Sequence, residues 1–377
     1  MALINYLTSV QFDFGALALL DGELRRLGIE RPLLVTDRGI IAAGLLDRAR
    51  ALLSDAAAAS IYDGTPANPT EAAVHEALVR YREGCCDGII AIGGGSPIDL
   101  AKAVALLATH PGPLARYAAV EGGSAHITAQ VAPLVAIPTT AGTGSEVGRA
   151  TLIVMNDGRK LAMLSPHLLP KLALCDPELT FDLPPSITAG TGMDAIAHCI
   201  ETFLSPAVNP PADAIALDGL RRAGAHLERA VRDGADRDAR WNMMMAAVEG
   251  GLAFQKGLGA VHSLSHALGS LAAPRLHHGT LNAVLLPAVL RFNAAHVGDK
   301  LARIAGALGL ASDADVAVFI AGLNVRLGLP RGLAQMGVTR AMLPRMVELA
   351  MQDHSNATNP RTVTAADCAE LLEQSFG

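Results

Sequence analysis

Residues 86–103, with the sequence CDGIIAIGGGSPIDLAKA, combine a short apolar run, a glycine triplet and the start of a helix. The apolar run ends at Ile92 and is predicted to form a buried strand. Pro97 and Asp99 are typical of the first turn of a helix, which we expect over 97–109. A strand that turns through glycine into a helix is a building unit of sheets with parallel strands. The stretch therefore predicts an α/β domain.

The glycine triplet is also a candidate anion-binding loop. The backbone N–H groups of Gly93, Gly94, Gly95 and Ser96 can approach an anion closely, and a helix N-terminus carries roughly half a positive charge. The G-x-G-x-x-G and G-x-x-x-x-G-K-[ST] spacings of common nucleotide-binding loops are absent. A glycine triplet alone is equally compatible with a tight turn, but the helix directly after it favours a cradle for pyrophosphate.

Outward from this stretch, the two halves of the chain differ in periodicity. Up to about residue 183, short apolar runs alternate with helical stretches, which predicts a mostly parallel sheet with helices on both faces. Further strands are expected at 32–36 and 133–138, and helices at 39–54 and 70–83. From Leu183 onward only helical periodicity continues. We therefore expect an α/β dinucleotide-binding domain at 1–183 and an all-helical metal-binding and catalytic domain at 184–377.

Composition limits the kinds of partner. The 377 residues exceed what one hydrophobic core usually holds, which agrees with two domains. The 30 basic and 36 acidic residues give a net charge of −6, which argues against nucleic acid as a partner. We find neither an apolar run long enough for a membrane span nor a secretion signal. Five cysteines without metal-binding spacing fit a reducing compartment, so we expect a cytoplasmic protein without membrane contact.

An aspartate and several histidines in the second half have the spacing of a divalent-metal site. Asp194 and His198 are four residues apart and share one face of a helix, and His262 and His266 repeat that spacing. Four of the 12 histidines fall within 262–278. The surrounding sequence is apolar, and an unpaired Asp or His is costly to bury there. Each residue alone could be a satisfied core histidine or a capping aspartate, but the set predicts metal ligands.

Long motifs in a fixed order make the sequence similar to a known family, the iron-dependent (group III) alcohol dehydrogenases. The motifs are 93–102 (GGGSPIDLAK), 138–146 (PTTAGTGSE), 192–198 (GMDAIAH), 261–269 (VHSLSHALG) and 278–283 (HGTLNA). The resemblance extends over both predicted domains. It implies a dehydroquinate synthase-like fold, NAD as cofactor, a divalent metal, a small alcohol or aldehyde as substrate, and a homo-oligomer that is a dimer or larger.

Motif matching implies a particular set of metal ligands. The set is Asp194, His198, His262 and His278. His277 is an alternative to His278, although the sequence after His278 fits the motif better. One carboxylate and three imidazoles suit several divalent ions, and the family implies Fe(II), with Zn(II) as the alternative. Such an ion acidifies an alcohol hydroxyl and polarises an aldehyde carbonyl. His266, one turn beyond His262, is the candidate that relays the hydroxyl proton.

Cofactor contacts are predicted near the ends of two strands. Asp37 follows the strand at 32–36, where a carboxylate can hydrogen-bond the adenosine ribose and repel a 2′-phosphate, which favours NAD over NADP. Asp37 could instead only cap the following helix. The resemblance implies further contacts to the nicotinamide and the ribose, at Thr139, Thr140, Thr143 and Lys160. Asp99 belongs to a family motif too, but a helix-capping role explains it equally well.

The substrate is expected to be a short primary alcohol. The stretches 6–8 (YLT) and 254–259 (FQKGLG) resemble bacterial members of the family that act on 4-hydroxybutyrate, which implies an ω-hydroxy acid as the alcohol and succinate semialdehyde as the aldehyde. A substrate carboxylate needs a cationic donor. Candidates for the substrate pocket are Phe254, Lys256, Arg275, His277 and Arg149, although a core role or an ordinary surface charge explains each of them as well. A broad-specificity dehydrogenase or reductase for small alcohols, diols and aldehydes is the alternative within the family.

Two interpretations from other classes start from the same residues. The implied architecture also serves metal-dependent lyases of the dehydroquinate synthase type, which require several basic residues around the metal, and only scattered ones are present. A non-catalytic metal-binding module would leave the glycine triplet and the threonine-rich stretch at 139–143 unexplained. Reduction of NAD in the presence of an alcohol separates an alcohol dehydrogenase from both.

Overall fold

The first half of the chain is built on a parallel sheet. The computed structural model describes Ile4, Tyr6 and residues 8–377, so Leu7 of the stretch 6–8 lies outside the described residues. The strands are β1 (Val10–Phe12), β2 (Pro32–Val35), β3 (Ser60–Tyr62), β4 (Gly88–Gly93), β5 (Leu134–Pro138), β6 (Ala150–Val154), β7 (Lys160–Leu164) and β8 (Leu172–Cys175). Six of them form one sheet in the order β1-β8-β5-β4-β2-β3 with every pair parallel, and β6 and β7 form a separate antiparallel pair.

Each face of this sheet carries its own hydrophobic cluster. Along β4, Ile89 and Ala91 belong to one cluster and Ile90 and Ile92 to the other, because side chains alternate between the faces of a strand. The helices of this half are α1 (Leu20–Leu27), α2 (Arg38–Ala42), α3 (Leu45–Arg50), α4 (Glu71–Glu83) and α5 (Gly95–Thr109). The first cluster includes residues of α4 and α5, and the second includes residues of α1 and α3. The predicted parallel sheet with helices on both faces is confirmed.

Helix boundaries differ from the predicted ones where glycine intervenes. The helix expected at 39–54 is two helices, because Gly44 adopts a φ of 71° between α2 and α3. Helix α5 begins at Gly95 rather than at Pro97, with Gly94 as its N-cap. The glycine triplet is therefore the end of the strand and the N-terminus of the helix at once. The capping role considered for Asp99 is wrong, because Asp99 lies beyond the first turn.

The second half of the chain is helical, and its described residues contain no strand. Its helices are α6 (Pro185–Leu204), α7 (Pro210–Arg232), α8 (Arg237–Ala253), α9 (Ala260–Gly269), α10 (His278–Asn293), α11 (Lys300–Ala307), α12 (Val316–Arg326), α13 (Leu343–Met351) and α14 (Ala365–Gln374). The short stretch Ala141–Gly144 belongs to the same compact unit as these helices. The predicted single domain boundary near residue 183 does not account for this stretch. No described helix is long and apolar enough to cross a membrane.

Helix α6 is the central helix of the helical unit. It packs against α7, α8 and α10, and every residue from Thr188 to Leu204 is buried. A helix that is buried on all sides belongs to a core rather than to a surface. Polar side chains on α6 therefore lie in the interior, where they need partners.

Candidate metal centre and cofactor loops

Helix α6 presents Asp194 and His198 on one face, four residues apart, as the sequence predicts. Both side chains are buried, with at most 5% of their surface exposed. Gly279 at the start of α10 allows α10 to approach α6, because a Cβ atom on Gly279 would lie 2.2 Å from the carbonyl oxygen of Gly190. The close approach brings the N-terminus of α10 beside Asp194.

Three imidazole rings each direct their Nε2 atom toward one oxygen of the Asp194 carboxylate. The Nε2 atoms of His262 and His278 lie 3.7 Å from Oδ1 of Asp194, and Nε2 of His198 lies 3.8 Å from it. Bonds of about 2.1 Å in a tetrahedral site place the ligand atoms about 3.4 Å apart, so the observed spacing fits a divalent ion. The ligand atoms of Asp194, His262 and His278 all lie within 4.8 Å of one another. His198 is not a member of this group, although its Nε2 faces the same carboxylate oxygen. The described structure thus contains a donor set suited to a metal ion.

The structure brings His278, rather than His277, to Asp194. His277 is the N-cap of α10, and its Nδ1 accepts a hydrogen bond from the backbone N–H of Thr280 at 3.3 Å. Burial lowers the pKa of His277. A Cβ on Gly190 would meet the His277 ring at 2.8 Å, so this ring packs on the backbone of α6. His277 therefore caps the N-terminus of the helix that carries His278.

Electrostatics keep Asp194 ionised and His198 neutral. Burial by itself raises the pKa of Asp194, but the facing rings of His198, His278 and His262 hold this pKa well below its usual range. Burial lowers the pKa of His198 to about 4. Burial opposes the charge on His262 as well, yet hydrogen bonds with Asp194 and Glu201 raise its pKa to about 9. Aspartate binds a metal as the carboxylate, and histidine binds it as the neutral imidazole. Because His262 holds its proton up to a pKa of about 9, a metal cation must displace a proton from this ring to bind Nε2.

Asn282 completes the site and was not identified from the sequence. Its amide nitrogen donates to Oδ1 of Asp194 at 2.6 Å and lies 3.2 Å from Nε2 of both His262 and His278. Its carbonyl oxygen Oδ1 is buried without a hydrogen-bond partner among the described residues. An amide donor that faces three ligand atoms occupies the position that suits a positive charge. The signal was present in the sequence, because Asn282 lies four residues after His278, on the same helix face.

His266 contacts the metal-site rings but is not part of the donor group. Its ring stacks on His278 with a centroid distance of 5.3 Å. Its Nδ1 lies 2.8 Å from the Asp353 carboxylate, and although burial raises the pKa of Asp353, His266 beside it holds this pKa well below the ordinary value. The His354 ring also stacks with the His266 ring, at a centroid distance of 6.1 Å. No spacing in the sequence links Asp353 to a residue 87 positions earlier, so sequence analysis missed this pair.

The residues predicted to line a substrate pocket occupy different environments. The Phe254 ring packs against the His198 ring at 5.3 Å. Lys256 is buried, and its ammonium group pairs with Asp213 and donates to the carbonyl oxygen of Phe203. Arg275 is exposed. The positive charge of Lys256 is already compensated by Asp213 inside the protein. We therefore do not propose Lys256 as the partner of a substrate carboxylate.

The glycine triplet lies where β4 ends and α5 begins. Thr139 follows β5, the neighbouring strand, and its backbone N–H donates to the Gly93 carbonyl oxygen at 3.0 Å. The hydroxyl oxygens of Thr139 and Thr140 are buried and have no hydrogen-bond partner among the described residues. Ser96 donates to the carbonyl oxygen of Ala67. The edge formed by β4 and β5 therefore combines a helix N-terminus with two hydroxyl groups that require a partner.

The other predicted cofactor residues have structural contacts of their own. Asp37 caps α2 by accepting from the backbone N–H of Ile40 at 3.0 Å. Asp99 is half-buried and accepts hydrogen bonds from the Ser145 hydroxyl and from the backbone N–H of Leu152, so it connects α5 to β6. Lys160 donates to Asn68 at 3.1 Å. These contacts account for Asp99 without a ligand, whereas the cap at Asp37 leaves its second oxygen for other partners.

Thr143 lies in a segment whose glycines have a packing role. A Cβ on Gly142 would lie 2.4 Å from the carbonyl oxygen of Thr191 on α6, and a Cβ on Gly144 would lie 2.5 Å from Gly251 on α8. Gly144 also has a φ of 61°. The glycines of the 138–146 motif therefore allow this segment to pack directly on two helices of the helical unit.

Most of the chain matches two families. Residues 8–177 match the family described as iron-containing alcohol dehydrogenase, and residues 188–376 match the C-terminal family of Fe-containing alcohol dehydrogenases. The sequence is 58% identical to 4-hydroxybutyrate dehydrogenase from Cupriavidus necator over 100% of both chains.

Solved structures agree with these matches. A crystal structure of 1,3-propanediol oxidoreductase superposes with a TM-score of 0.91 at 35% identity and covers 100% of both chains. Sulfoacetaldehyde reductase from Bifidobacterium kashiwanohense, solved in complex with NAD+, superposes with a TM-score of 0.87 at 26% identity and covers 99% of both chains. Similarity of this extent assigns the chain to the NAD-linked, metal-dependent oxidoreductases that act on small molecules. The chain belongs to the iron-containing alcohol dehydrogenase family. The lyase and the non-catalytic metal-binding module are therefore set aside.

Proposed function

We propose that this alcohol dehydrogenase interconverts 4-hydroxybutyrate and succinate semialdehyde with NAD, using Fe(II) held by Asp194, His198, His262 and His278. The supporting observation is the convergence of three Nε2 atoms on one buried carboxylate oxygen, at 3.7 to 3.8 Å. The substrate rests on the 58% identity to an enzyme named 4-hydroxybutyrate dehydrogenase.

The donor set supports a divalent metal of intermediate softness. It contains one carboxylate and three imidazoles and no thiolate, which suits Fe(II) and also accommodates Zn(II). The ion, when bound, supplies Lewis acidity that acidifies an alcohol hydroxyl and polarises an aldehyde carbonyl. Asp194 contributes the negative charge of the site, and its burial among apolar residues of α6 strengthens its attraction for a cation.

His266 is assigned the proton transfer. The Asp353 carboxylate accepts the Nδ1–H of His266 at 2.8 Å, which orients the ring and favours the tautomer with its lone pair at Nε2. Nε2 can then accept the hydroxyl proton of the alcohol, and in the reverse direction return it to the product oxygen. The stacking of His266 on His278 places this proton acceptor beside the metal ligands.

We assign NAD binding to the α/β half of the chain. NAD, when bound, accepts the hydride at its nicotinamide ring. The backbone N–H groups of Gly94, Gly95 and Ser96 at the N-terminus of α5 suit the pyrophosphate, and the buried hydroxyl groups of Thr139 and Thr140 are available for further hydrogen bonds. We assign the free oxygen of Asp37 to the adenosine ribose and Lys160 to the nicotinamide-side ribose. We assign Thr143 to the nicotinamide side of the cofactor, as the family resemblance implies.

We further propose that the enzyme is a cytoplasmic homo-oligomer. Its five cysteines are all free thiols, as a reducing compartment requires. A self-associating enzyme agrees with the family resemblance, and sedimentation at several protein concentrations tests it.

The substrate assignment is tested by comparing matched alcohols. A charge-assisted hydrogen bond to a carboxylate contributes about 1.5–3 kcal/mol, so 4-hydroxybutyrate should have a kcat/KM at least about tenfold above that of 1-butanol. Absorbance at 340 nm follows NADH directly. 1,3-Propanediol is the second candidate, because 1,3-propanediol oxidoreductase has the same fold at 35% identity. A higher kcat/KM for the diol than for the hydroxy acid would replace the first assignment with the second.

A further inference from the structure

Glu201 is a buried carboxylate for which no role has been assigned. It lies on α6, three residues after His198, with only 5% of its surface exposed. Both of its oxygens are engaged: Oε2 lies 2.6 Å from Nδ1 of His262, and Oε1 accepts from the backbone N–H of Val261 at 2.7 Å. We propose that Glu201 is a positioning residue that fixes the tautomer and the ring orientation of His262 for metal binding through Nε2. This inference rests on the proposed metal centre.

The tautomer follows from hydrogen-bonding capacity. An ionised carboxylate only accepts hydrogen bonds, so Nδ1 of His262 must carry the proton that lies between the two groups. A neutral imidazole has one N–H and one lone pair, and the lone pair of His262 is therefore on Nε2. Nε2 is the atom that faces Asp194 at 3.7 Å. A carboxylate on the far nitrogen of a ligating histidine also increases the basicity of the ligating nitrogen.

The second oxygen of Glu201 fixes the helix that carries His262. The N-cap of α9 is Gly259, which has no side chain to accept from the first turn. Glu201 accepts from Val261 and Asn359 accepts from the N–H of Ala260 at 3.1 Å, so both caps come from distant parts of the chain. A Cβ on Gly259 would lie 2.7 Å from Oδ1 of Asn359 and 2.9 Å from Oε1 of Glu201. Glycine thus leaves room for the two caps.

A glutamine at position 201 cannot satisfy both partners. Its amide group has one acceptor oxygen and one donor nitrogen. If the oxygen accepts from Nδ1 of His262, the NH₂ group faces the N–H of Val261, which is a second donor. If the oxygen accepts from Val261, the NH₂ group faces Nδ1 and forces the histidine proton onto Nε2, the metal-binding atom. Glu201→Gln therefore weakens metal binding without creating a cavity.

The experiment measures Zn²⁺ affinity of the metal-free full-length enzyme by competition with a chromophoric chelator, independently of turnover. Glu201→Gln should weaken Zn²⁺ binding about 10- to 100-fold, the usual cost of losing a partner behind a ligating histidine. Glu201→Asp, which keeps the charge and two acceptor oxygens, should recover part of this loss. Asn359→Ala removes the other cap of α9 but no partner of His262, so its Zn²⁺ affinity should remain that of the wild type.

A matched control removes a similar carboxylate elsewhere. Asp176 is buried and accepts from the backbone N–H groups of Leu17 and Glu178, with no histidine among these partners. Asp176→Asn should leave Zn²⁺ affinity unchanged. If Glu201→Gln binds Zn²⁺ as tightly as the wild type, the proposal is wrong. An equal loss in Asn359→Ala would also overturn it, because helix capping alone would then explain the effect.

A measurement on the wild type does not depend on the folding of any variant. In the Zn²⁺-loaded enzyme with ¹⁵N-labelled histidine, His262 should show a hydrogen-bonded Nδ1 proton. A proton on Nε2 of His262 in that spectrum would overturn the proposal. Absence of tight Zn²⁺ binding to the wild type would instead remove the metal centre itself, whereas a substrate other than 4-hydroxybutyrate would leave the role of Glu201 intact.

Discussion

The proposed cofactor loop and the proposed metal centre use the chain in opposite ways. The loop at Gly93–Ser96 is contiguous and acts through backbone N–H groups, and its glycines matter because side chains would fill the space; a Cβ on Gly93 would lie 2.6 Å from Pro97. The metal centre acts through side chains that come from α6, α9 and α10, between positions 194 and 282. A site made of backbone depends on which side chains are absent, whereas a site made of side chains depends on each one present. Substitutions should therefore have their largest effects at the metal centre.

The largest expected effect is complete loss of the metal. Asp194→Ala and His262→Ala each remove a buried ligand, so both variants should contain no tightly bound ion and should have no measurable turnover. Elemental analysis per chain checks the metal. His226→Ala is the control, because this histidine of α7 contacts Arg222 and Asp238 and lies outside the donor group. One tightly bound ion per chain in His262→Ala would disprove the ligand assignment.

The next effect separates proton transfer from metal binding. His266→Ala should retain the metal and the affinity for NAD and lose turnover by about 10²- to 10⁴-fold, the usual contribution of a positioned acid–base group. Asp353→Asn, which keeps an acceptor oxygen near Nδ1, should lose less. Steady-state kinetics with metal analysis distinguishes the cases. Loss of metal from His266→Ala would show that His266 is a ligand and that the choice of His278 is mistaken.

A smaller effect tests the cofactor side of the comparison. If Asp37 repels a 2′-phosphate, Asp37→Gly should reduce the preference for NAD over NADP by about tenfold, which corresponds to about 1.4 kcal/mol. Asp37→Ser keeps an acceptor for the N–H of Ile40 but removes the charge, so it should give the same change in preference with less loss of stability. Unchanged preference in both variants would leave Asp37 with its helix cap alone.

The smallest effect on catalysis is expected at Lys256. Its ammonium group is paired with Asp213 inside the protein, so Lys256→Ala should leave the ratio of kcat/KM for 4-hydroxybutyrate and 1-butanol unchanged. The unpaired partners should lower the free energy of unfolding by about 1–3 kcal/mol. Denaturant titration and steady-state rates measure the two quantities, with the exposed Arg275→Ala as the comparison. A collapse of the ratio in Lys256→Ala alone would return this lysine to the substrate site.

The sequence predicted the parts of the molecule that depend on local pattern. Apolar strands followed by glycine and a helix were enough to predict the α/β half, because each of these sequence features lies within a few residues of the strand or helix that it specifies. The pairs Asp194 with His198 and His262 with His266 were visible for the same reason, since four-residue spacing places side chains on one helix face. The break between α2 and α3 was missed, because a glycine such as Gly44 is also tolerated inside helices.

The rest of the site depends on contacts between distant parts of the chain. Glu201 meets His262 across 61 residues and Asp353 meets His266 across 87 residues, and no periodicity connects either pair. Lys256 looked like a candidate for a substrate carboxylate because its position in a motif says nothing about Asp213, 43 residues earlier. Partners of buried charges are decided by packing, which a single sequence does not display.

The burial of α6 has a thermodynamic consequence. The same helix forms the centre of the helical unit and carries two of the proposed ligands, so a cation that binds only the folded chain shifts the folding equilibrium. At a free concentration of about 100 times Kd, such a ligand raises the free energy of unfolding by about 2.7 kcal/mol. The amount of folded enzyme in a cell would then follow the metal supply, and a chelator would make the chain easier for proteases to degrade even while no substrate is being turned over.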